Sequence, residues 1–169
     1  MASRLRQYEL RDIDALCEAV LESKCELAPW MPWCHPHYGR DDARLWVESR
    51  PGTWDRNEAW SFLIVDAADR LLGTCGLHRI DNLNRVAELG YWVRTSEAGQ
   101  GIATAASRQL VDWAFRERDL HRVEILISTE NHASLRVAEK LGAQQEGIVR
   151  SRLLLHGRRH DCVMFAIVR

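Results

Sequence analysis

The chain has 169 residues, a length that favours a single folded domain over residues 1–169. At this size folding buries roughly 70% of the surface of the unfolded chain, which is enough for a full hydrophobic core. The formal net charge is −1, so no global basic field favours direct binding to nucleic acid. No apolar run approaches the ~20 residues of a membrane span, and the first residues lack the apolar core of a signal peptide.

Cysteine usage indicates a reducing compartment. The cysteines are odd in number and do not follow the spacing of a disulfide framework. We therefore expect free thiols and a cytoplasmic protein. The thiols are Cys17, Cys25, Cys34, Cys75 and Cys162.

The first third of the chain predicts an edge strand and two helices. Residues 4–10 alternate weakly between polar and apolar side chains, which is typical of an edge strand. A helix with a continuous apolar face follows Asp12, which can cap it. Asp41 or Asp42 can cap a second helix, which is expected to run through Arg50 and to stop at Pro51-Gly52.

An irregular segment lies between those helices. Pro29 and Pro32 bracket Trp30 and exclude regular helix, and Trp33 follows directly. Either these aromatic residues form a loop packed over the core, or Trp30 and Trp33 form a wall of a substrate site together with His78. The next residues, Cys-His-Pro-His at 34–37, lack a second pair of ligands at matching spacing, so no metal site is predicted.

The middle of the chain predicts a sheet. Strands over residues 60–65, 71–80 and 85–93 are joined by short polar turns and make an antiparallel meander. A helix over 101–118 then crosses to a strand over 122–128, a connection that normally gives parallel neighbours.

The last part of the chain completes a mixed sheet flanked by helices, an α+β (mixed α/β) fold. Asn131 is a good N-cap for a helix that ends at Gly142. Segments 143–155 and 159–168 then read as a closing hairpin.

Two glycines, Gly99 and Gly101, separate the third strand of the meander from its following helix. A glycine loop that leads into a helix N-terminus presents unpaired N–H groups and suits a phosphate or diphosphate. Thr104 stands where the dinucleotide fingerprint needs a third glycine, and no P-loop lysine follows, so a nucleotide-binding module is disfavoured. The alternative is a tight strand-to-helix turn without a ligand.

The residues around this loop resemble motif A of the GNAT acetyltransferase superfamily, with A-G-Q-G-I-A standing for Q/R-x-x-G-x-G/A. The run N-x-x-S-x-x-V-A-E-K-L-G, residues 131–142, resembles motif B. Together with E-L-G-Y-W-V and the early A-P-W-M-P-W, these blocks look like the RimJ/RimL branch, the ribosomal-protein N-terminal acetyltransferases. The likeness covers nearly the whole chain.

The resemblance implies a GNAT fold and acetyl-CoA as the acetyl donor. We expect a mostly antiparallel seven-stranded sheet with about four helices and a splayed central parallel pair. A bulge in strand 85–93 can cause the splaying, and pantetheine amides can pair with the opened edge. The N–H of Trp92 or Val93 could then polarise the acetyl carbonyl. The cofactor-binding residues implied are Trp92, Val93, Ala98, Gly99, Gln100, Gly101, Ile102, Ala103, Thr104, Asn131 and Ser134.

Glu88 and Ser134 are the candidate catalytic residues. Glu88 shares a strand face with Gly90 and Trp92 and could accept the proton of the amine through water. Alternatively, it is a structural carboxylate paired to an arginine such as Arg122. Ser134 falls in the first turn of its helix, where its hydroxyl could reach a thiolate or could be an ordinary surface serine.

Three positions depart from the family pattern. Ala98 replaces the Gln or Arg of motif A, Ala138 stands where many members carry a tyrosine acid, and Leu153 stands where part of the branch carries a glutamate. These departures put weight on Glu88 and Ser134, or on no dedicated base. An α-amine titrates near pH ~8, so a useful fraction is neutral without help.

The resemblance implies acetyl transfer to an α-amine, above all at the Ser or Ala terminus of a ribosomal protein. Two alternatives remain open at this point. One is acetylation of a small amine such as a polyamine, an amino acid or an antibiotic. The other is a catalytically silent acyl-CoA-binding module that regulates a partner. A homodimer through sheet edges or the final hairpin is compatible with the branch.

Overall fold

The computed structural model describes residues 3–169, which form a seven-stranded sheet in the order β1-β2-β3-β4-β5-β7-β6. Only β4 and β5 are parallel, and all other neighbours are antiparallel. The mixed, mostly antiparallel sheet predicted from the sequence is therefore confirmed. The strands are β1 (Arg4–Arg6), β2 (Trp60–Val65), β3 (Leu71–Asp81), β4 (Val86–Val93), β5 (Arg122–Ser128), β6 (Gln144–Leu155) and β7 (Arg158–Val168).

Five α-helices accompany the sheet over these residues, and the second has only four residues. Two short 3-10 turns, Leu10–Asp12 and Thr95–Glu97, lead into longer helices or loops. The helices are α1 (Ile13–Glu22), α2 (Lys24–Leu27), α3 (Arg40–Asp55), α4 (Ile102–Glu117) and α5 (His132–Leu141).

Helix α3 continues through Pro51, so the predicted stop at Pro51-Gly52 is wrong. A proline removes one helical hydrogen bond, but aromatic packing holds the turn that follows it. The Trp54 ring lies 5.1 Å from Phe62 and 5.7 Å from Trp113, measured between ring centroids. Tertiary contacts of this last turn therefore outweigh the local stop signal.

The aspartates predicted to cap α1 and α3 with their side chains do not do so. Helix α3 is capped by Gly39, not by Asp41 or Asp42, although the Asp42 carboxylate accepts a hydrogen bond from the Gly39 N–H at 2.9 Å. Asp12 stands at the N-cap of α1, but its carboxylate accepts from the Glu9 N–H at 2.7 Å instead. This contact turns the chain soon after β1, which is shorter than predicted.

The two faces of the sheet bury different helices. Strand β2 is buried along its whole length, and its side chains alternate between the two cores. Phe62 and Ile64 pack with α4 and α5, whereas Leu63 and Val65 pack with α1 and α3. The continuous apolar run of β2 therefore reflects burial on both faces.

Strands β4 and β5 form a fork. They pair only from Val86–Glu88 against Arg122–Glu124, after which β4 stays with β3 and β5 stays with β7. The predicted splaying is confirmed. The bulge expected in β4 lies instead in β3, where the register shifts between His78 and Asp81.

Candidate active site

The glycine loop lies at the open end of the fork. Gly99 and Gly101 have φ of 78° and 77°, the left-handed region that favours glycine. A Cβ at either position would meet nothing within 4 Å, so this side of both residues is open space. Gly101 is the N-cap of α4 and offers no side chain, which leaves first-turn N–H groups without capping partners. These groups can bind an anion.

Ion pairs between the buried Arg94 and two glutamates of α1 fix the start of this loop. Arg94 donates to Glu18 at 2.7 Å and to Glu22 at 2.8 Å, both on α1. The Glu22 carboxylate also accepts from the Ser96 N–H, and together these hydrogen bonds lower the pKa of Glu22 to about 2. The loop is therefore tied to α1 by contacts that do not involve its glycines.

Glu97 fixes the middle of the loop. Its carboxylate accepts from Arg70 at 2.7 Å and from the Gln100 amide at 3.1 Å. The Gln100 side chain is thus held on the loop and is not part of the groove wall. Only the backbone of Gln100 remains a predicted ligand.

A groove of about 520 Å³ runs from the loop to the first turn of α5. It brings together every predicted cofactor residue except Gln100: Trp92, Val93, Ala98, Gly99, Gly101, Ile102, Ala103, Thr104, Asn131 and Ser134. Arg136 and Lys140 also line it and were not predicted. Their spacing of four residues on one helix is the sequence signal that could have revealed them, because it places both on one helix face.

Alternation along β4 decides which of its N–H groups face the fork. The Arg94 N–H donates to the Leu72 carbonyl of the strand β3 at 2.8 Å. In an antiparallel pair every second residue is bonded in this way, so the Trp92 N–H also points to β3. The N–H groups of Val93, Tyr91 and Leu89 then point into the fork. Of the two predicted carbonyl donors, the geometry favours Val93.

A larger cavity of about 1150 Å³ lies on the other side of β4. Trp30, Trp33, His78 and Glu88 all line it, as expected for a substrate site. The Trp33 ring also lies 6.2 Å from the Trp92 ring, so this segment both packs on the sheet and forms a wall. Six residues line both the groove and the cavity: Trp30, Met31, Tyr91, Trp92, Asn131 and Ser134.

Glu88 is a mostly buried carboxylate with two cationic or polar partners. It accepts from Arg79 at 2.9 Å and contacts the His78 ring at 3.2 Å. Burial alone would raise its pKa, but His78 and Arg79 outweigh burial and lower it. Arg122, the partner considered from the sequence, pairs with Glu124 and Glu146 instead. Glu88 is therefore ionised at neutral pH.

Ser134 meets a residue that the sequence does not single out, Tyr91 of β4. The two hydroxyl oxygens lie 2.9 Å apart, and the Tyr91 hydroxyl oxygen lies 3.1 Å from the Ser134 carbonyl oxygen, so the single Tyr91 proton can be donated to either acceptor. Burial raises the pKa of Tyr91 to about 12, so its hydroxyl stays protonated. Asn131 accepts from the Ser134 N–H at 3.1 Å, which confirms its predicted role as N-cap.

A family model described as "Acetyltransferase (GNAT) domain" matches residues 3–144. The chain belongs to the GNAT acetyltransferase family. It is 32% identical over 167 residues to YdaF of Bacillus subtilis (strain 168), whose assignment as a ribosomal N-acetyltransferase is provisional; the match covers 98% of this chain and 90% of YdaF. It is 28% identical over 154 residues to the ribosomal-protein-serine acetyltransferase of Escherichia coli (strain K12), covering 91% and 86%.

A solved structure adds a ligand to this comparison. RimL, a ribosomal L7/L12 alpha-N-protein acetyltransferase in complex with coenzyme A, matches with a TM-score of 0.92 at 27% identity, covering 99% of this chain and 94% of RimL. The predicted resemblance to the RimJ/RimL branch is confirmed, and the chain is an N-acetyltransferase. GNAT acetyltransferases take their acetyl group from acetyl-CoA, and the groove beside Gly99 and Gly101 fits that cosubstrate.

The structure shows what Ala138 and Leu153, two departures from the GNAT pattern, contribute to the site. Ala138 is fully buried in the core, so α5 presents no hydroxyl there. Tyr91 brings a phenol to the groove from β4 instead. Leu153 lines the larger cavity but carries no acid or base.

No group of three or more His, Cys, Asp or Glu side chains within residues 3–169 could hold a metal ion. His35, from the Cys-His-Pro-His run, contacts the Asp42 carboxylate at 3.2 Å. Among the helices of the described chain, none is both long and apolar enough to cross a membrane.

Proposed function

We propose that this GNAT domain, acting over residues 1–169, transfers an acetyl group from acetyl-CoA to the α-amine of a protein N-terminus. The observation that carries the proposal is the shared wall of the two cavities. A groove that fits a diphosphate on one side of β4 meets an aromatic-lined cavity on the other, at Tyr91, Trp92 and Ser134. The relatives named for ribosomal proteins support a polypeptide as acceptor.

Backbone groups hold the diphosphate in this proposal. The N–H groups from Gly99 to Ala103, with the hydroxyl of Thr104, bind its oxygens at the positive end of α4. Ala98 contributes no side-chain contact. The positive charges of Arg136 and Lys140 line the same groove and favour a polyanion there. The free edge of β4 along the fork pairs with the pantetheine amides as an added strand.

The bound cosubstrate supplies a thioester whose carbonyl carbon the amine attacks directly. The Val93 N–H, which faces the fork, donates a hydrogen bond to the carbonyl oxygen. Glu88 accepts the proton of the amine through water, and its low pKa keeps it ionised for that role. An α-amine is already partly neutral near pH ~8, so a weak base is sufficient.

The hydroxyl pair of Ser134 and Tyr91 stabilises the leaving thiolate. When the Tyr91 proton is donated to the Ser134 hydroxyl oxygen, rather than to the Ser134 carbonyl, the Ser134 O–H is left to donate into the groove. A protonated Tyr91 therefore orients Ser134 as the donor to sulfur.

The same proposal includes a reducing compartment such as the cytoplasm, because all five cysteines are free thiols. It also leaves room for a homodimer through the sheet edges or the final hairpin, as the resemblance to the RimJ/RimL branch implies.

An acetylation screen tests the proposed function. Mass spectrometry would follow acetyl transfer to peptides with a free or a blocked N-terminus, and to spermidine, amino acids and an aminoglycoside. We expect a mass gain of one acetyl group only on peptides with a free α-amine. Preferred acetylation of a small amine would overturn the choice of acceptor. Tight coenzyme A binding with no transfer to any amine would indicate a silent binding module.

A further inference from the structure

The charges that line the larger cavity do not balance. Its lining includes two carboxylates, and both are already engaged. Glu88 is bound by Arg79 and His78, and Asp42 is in contact with His35. Arg50 and Arg152 line the same cavity, and neither takes part in an ion pair among residues 3–169. Arg152 is exposed to solvent, whereas Arg50 is half-buried, so Arg50 is the uncompensated guanidinium charge inside the cavity wall.

Arg50 is held in place by neutral groups. It lies on α3 with its guanidinium carbon 3.6 Å from the centroid of the Trp46 ring. Its nitrogens donate to the Trp46 carbonyl at 3.1 Å, to the Ser49 hydroxyl at 2.7 Å and to the Ser61 hydroxyl at 3.4 Å. These contacts orient the guanidinium but leave its charge unneutralised. Partial burial lowers the pKa of Arg50, although an arginine remains protonated in proteins.

Most other partly buried arginines of the described chain have carboxylate partners. Arg6, Arg94 and Arg122 each pair with two or more carboxylates. Arg118 also has no ion pair, but it is stacked against three tryptophan rings and does not line the cavity. A partly buried charge without a counterion is costly unless something else compensates it. The fixed position of Arg50 at a cavity wall indicates that the missing counterion comes with the ligand.

Two glycines, Gly76 and Gly90, form the floor of the cavity between Arg50 and β4 and are called the glycine floor below. Ser61 of β2 is paired with Gly76 of β3, which is paired with Gly90 of β4. A Cβ at Gly76 would lie 3.2 Å from the Ser61 hydroxyl oxygen, and one at Gly90 would lie 3.2 Å from the His78 ring. Because neither glycine has a side chain, the surface between Arg50 and β4 is free of projecting groups. Ser61 and Gly90 are two strand spacings apart, about 10 Å.

We propose that Arg50 binds a carboxylate of the acceptor and so selects N-termini with Asp or Glu near the start of the chain. This inference rests on the proposed function, since it places the acceptor amine at the β4 fork. An extended peptide advances about 3.3 Å per residue, so the side chain of its third residue can cover a distance like the ~10 Å between Gly90 and Ser61, which accepts a hydrogen bond from Arg50. The glycine floor leaves room for the peptide between these two points.

Matched peptides test this assignment. One peptide begins Ser-Ala-Glu and its partner begins Ser-Ala-Gln, with all later residues identical and neutral. We expect kcat/KM to be roughly tenfold or more higher for the acidic peptide, mainly through KM, because a charge-assisted hydrogen bond is worth about that factor. Calorimetric titration of each peptide gives the same comparison without turnover.

Variants separate charge from folding. Arg50→Gln should remove the preference for the acidic peptide, whereas Arg50→Lys should retain part of it. Arg44→Gln is the matched control, because Arg44 lies on the same helix, is likewise partly exposed, and pairs with Asp41 and Glu48 outside the cavity. It should keep the wild-type preference. Thermal melting checks that each variant is folded.

The outcomes distinguish the two proposals. Equal kcat/KM and equal affinity for both peptides in the wild-type protein would overturn the role of Arg50 and leave the proposed function intact. A preference that survives in Arg50→Gln would overturn it as well. If no peptide is acetylated or bound while a small amine is acetylated, the proposed function and this inference are both wrong.

Discussion

Gly101→Asp tests whether the N-terminus of α4 binds a diphosphate. Gly101 has a φ of 77°, and a Cβ there would point into open space beside the groove. A carboxylate at this position would lie beside a diphosphate bound to the first-turn N–H groups of α4. At an effective dielectric constant of about 20, two like charges about 4 Å apart repel by ~4 kcal/mol, or roughly a thousandfold in affinity. Salt reduces this in an open groove, so we expect a loss of at least about a hundredfold.

Two further variants isolate the charge from the backbone strain. Gly101→Asn has nearly the same shape and the same left-handed backbone, costs about 1 kcal/mol of stability, and should lose much less affinity. Gly142→Asn imposes similar strain at the end of α5, where φ is 83°. Calorimetry with coenzyme A and thermal melting would be measured on all of them. Equal affinities for Gly101→Asp and Gly101→Asn would refute the diphosphate assignment.

Three other predictions concern the chemistry and the stability of the site. Glu88→Gln should lower kcat roughly a hundredfold at pH 7 with unchanged coenzyme A affinity, and the loss should shrink at pH 9, where the amine is neutral unaided; full activity would make Glu88 purely structural. Ser134→Ala and Tyr91→Phe should each lower kcat roughly tenfold, and a double variant no worse than either single one would confirm that they act as a pair. Glu22 has a folded-state pKa depressed to about 2, mainly by its hydrogen bond with Arg94, so its stabilisation is present above about pH 4.5 and is lost as the pH falls towards 2. The melting temperature should fall over that range in the wild type and less steeply in Glu22→Gln.

The sequence predicts those structural features that are determined by residues close together along the chain. The β5 strand, the Asn131 cap and the glycine loop follow from local patterns, and the structure contains all three. The fork was expected only through the resemblance to a family, since alternation along β4 cannot reveal that its partner diverges. Local chemistry thus indicates an anion site, whereas the fork that surrounds it is a property of the sheet.

The features missed from the sequence depend on contacts between distant residues. Tyr91 and Ser134 are 43 residues apart and meet only because β4 and α5 flank the same groove. Arg79 donates to Glu88 from a register shift in β3, and no local sequence pattern predicts that shift. The extension of α3 past Pro51 depends on the packing of Trp54 against two other elements. In each case tertiary packing decides between local alternatives.

Strand β4 contributes groups to the site from both of its faces and from its free edge. One of its faces carries Glu88 and Trp92 to the larger cavity, and the other carries Tyr91 to α5. Its free edge presents N–H groups such as that of Val93. A shift of one residue in the register of β4 would turn each side chain to the opposite face and each N–H to the opposite edge, because a strand alternates with a period of two. The register must therefore be fixed at both ends. The β3 bulge fixes one end beside Glu88, and the ion pairs of Arg94 with α1 fix the other. Arg50, the α3 residue proposed to bind the acceptor, lies outside this constraint, so substitutions there should change acceptor choice without disturbing the chemistry of the fork.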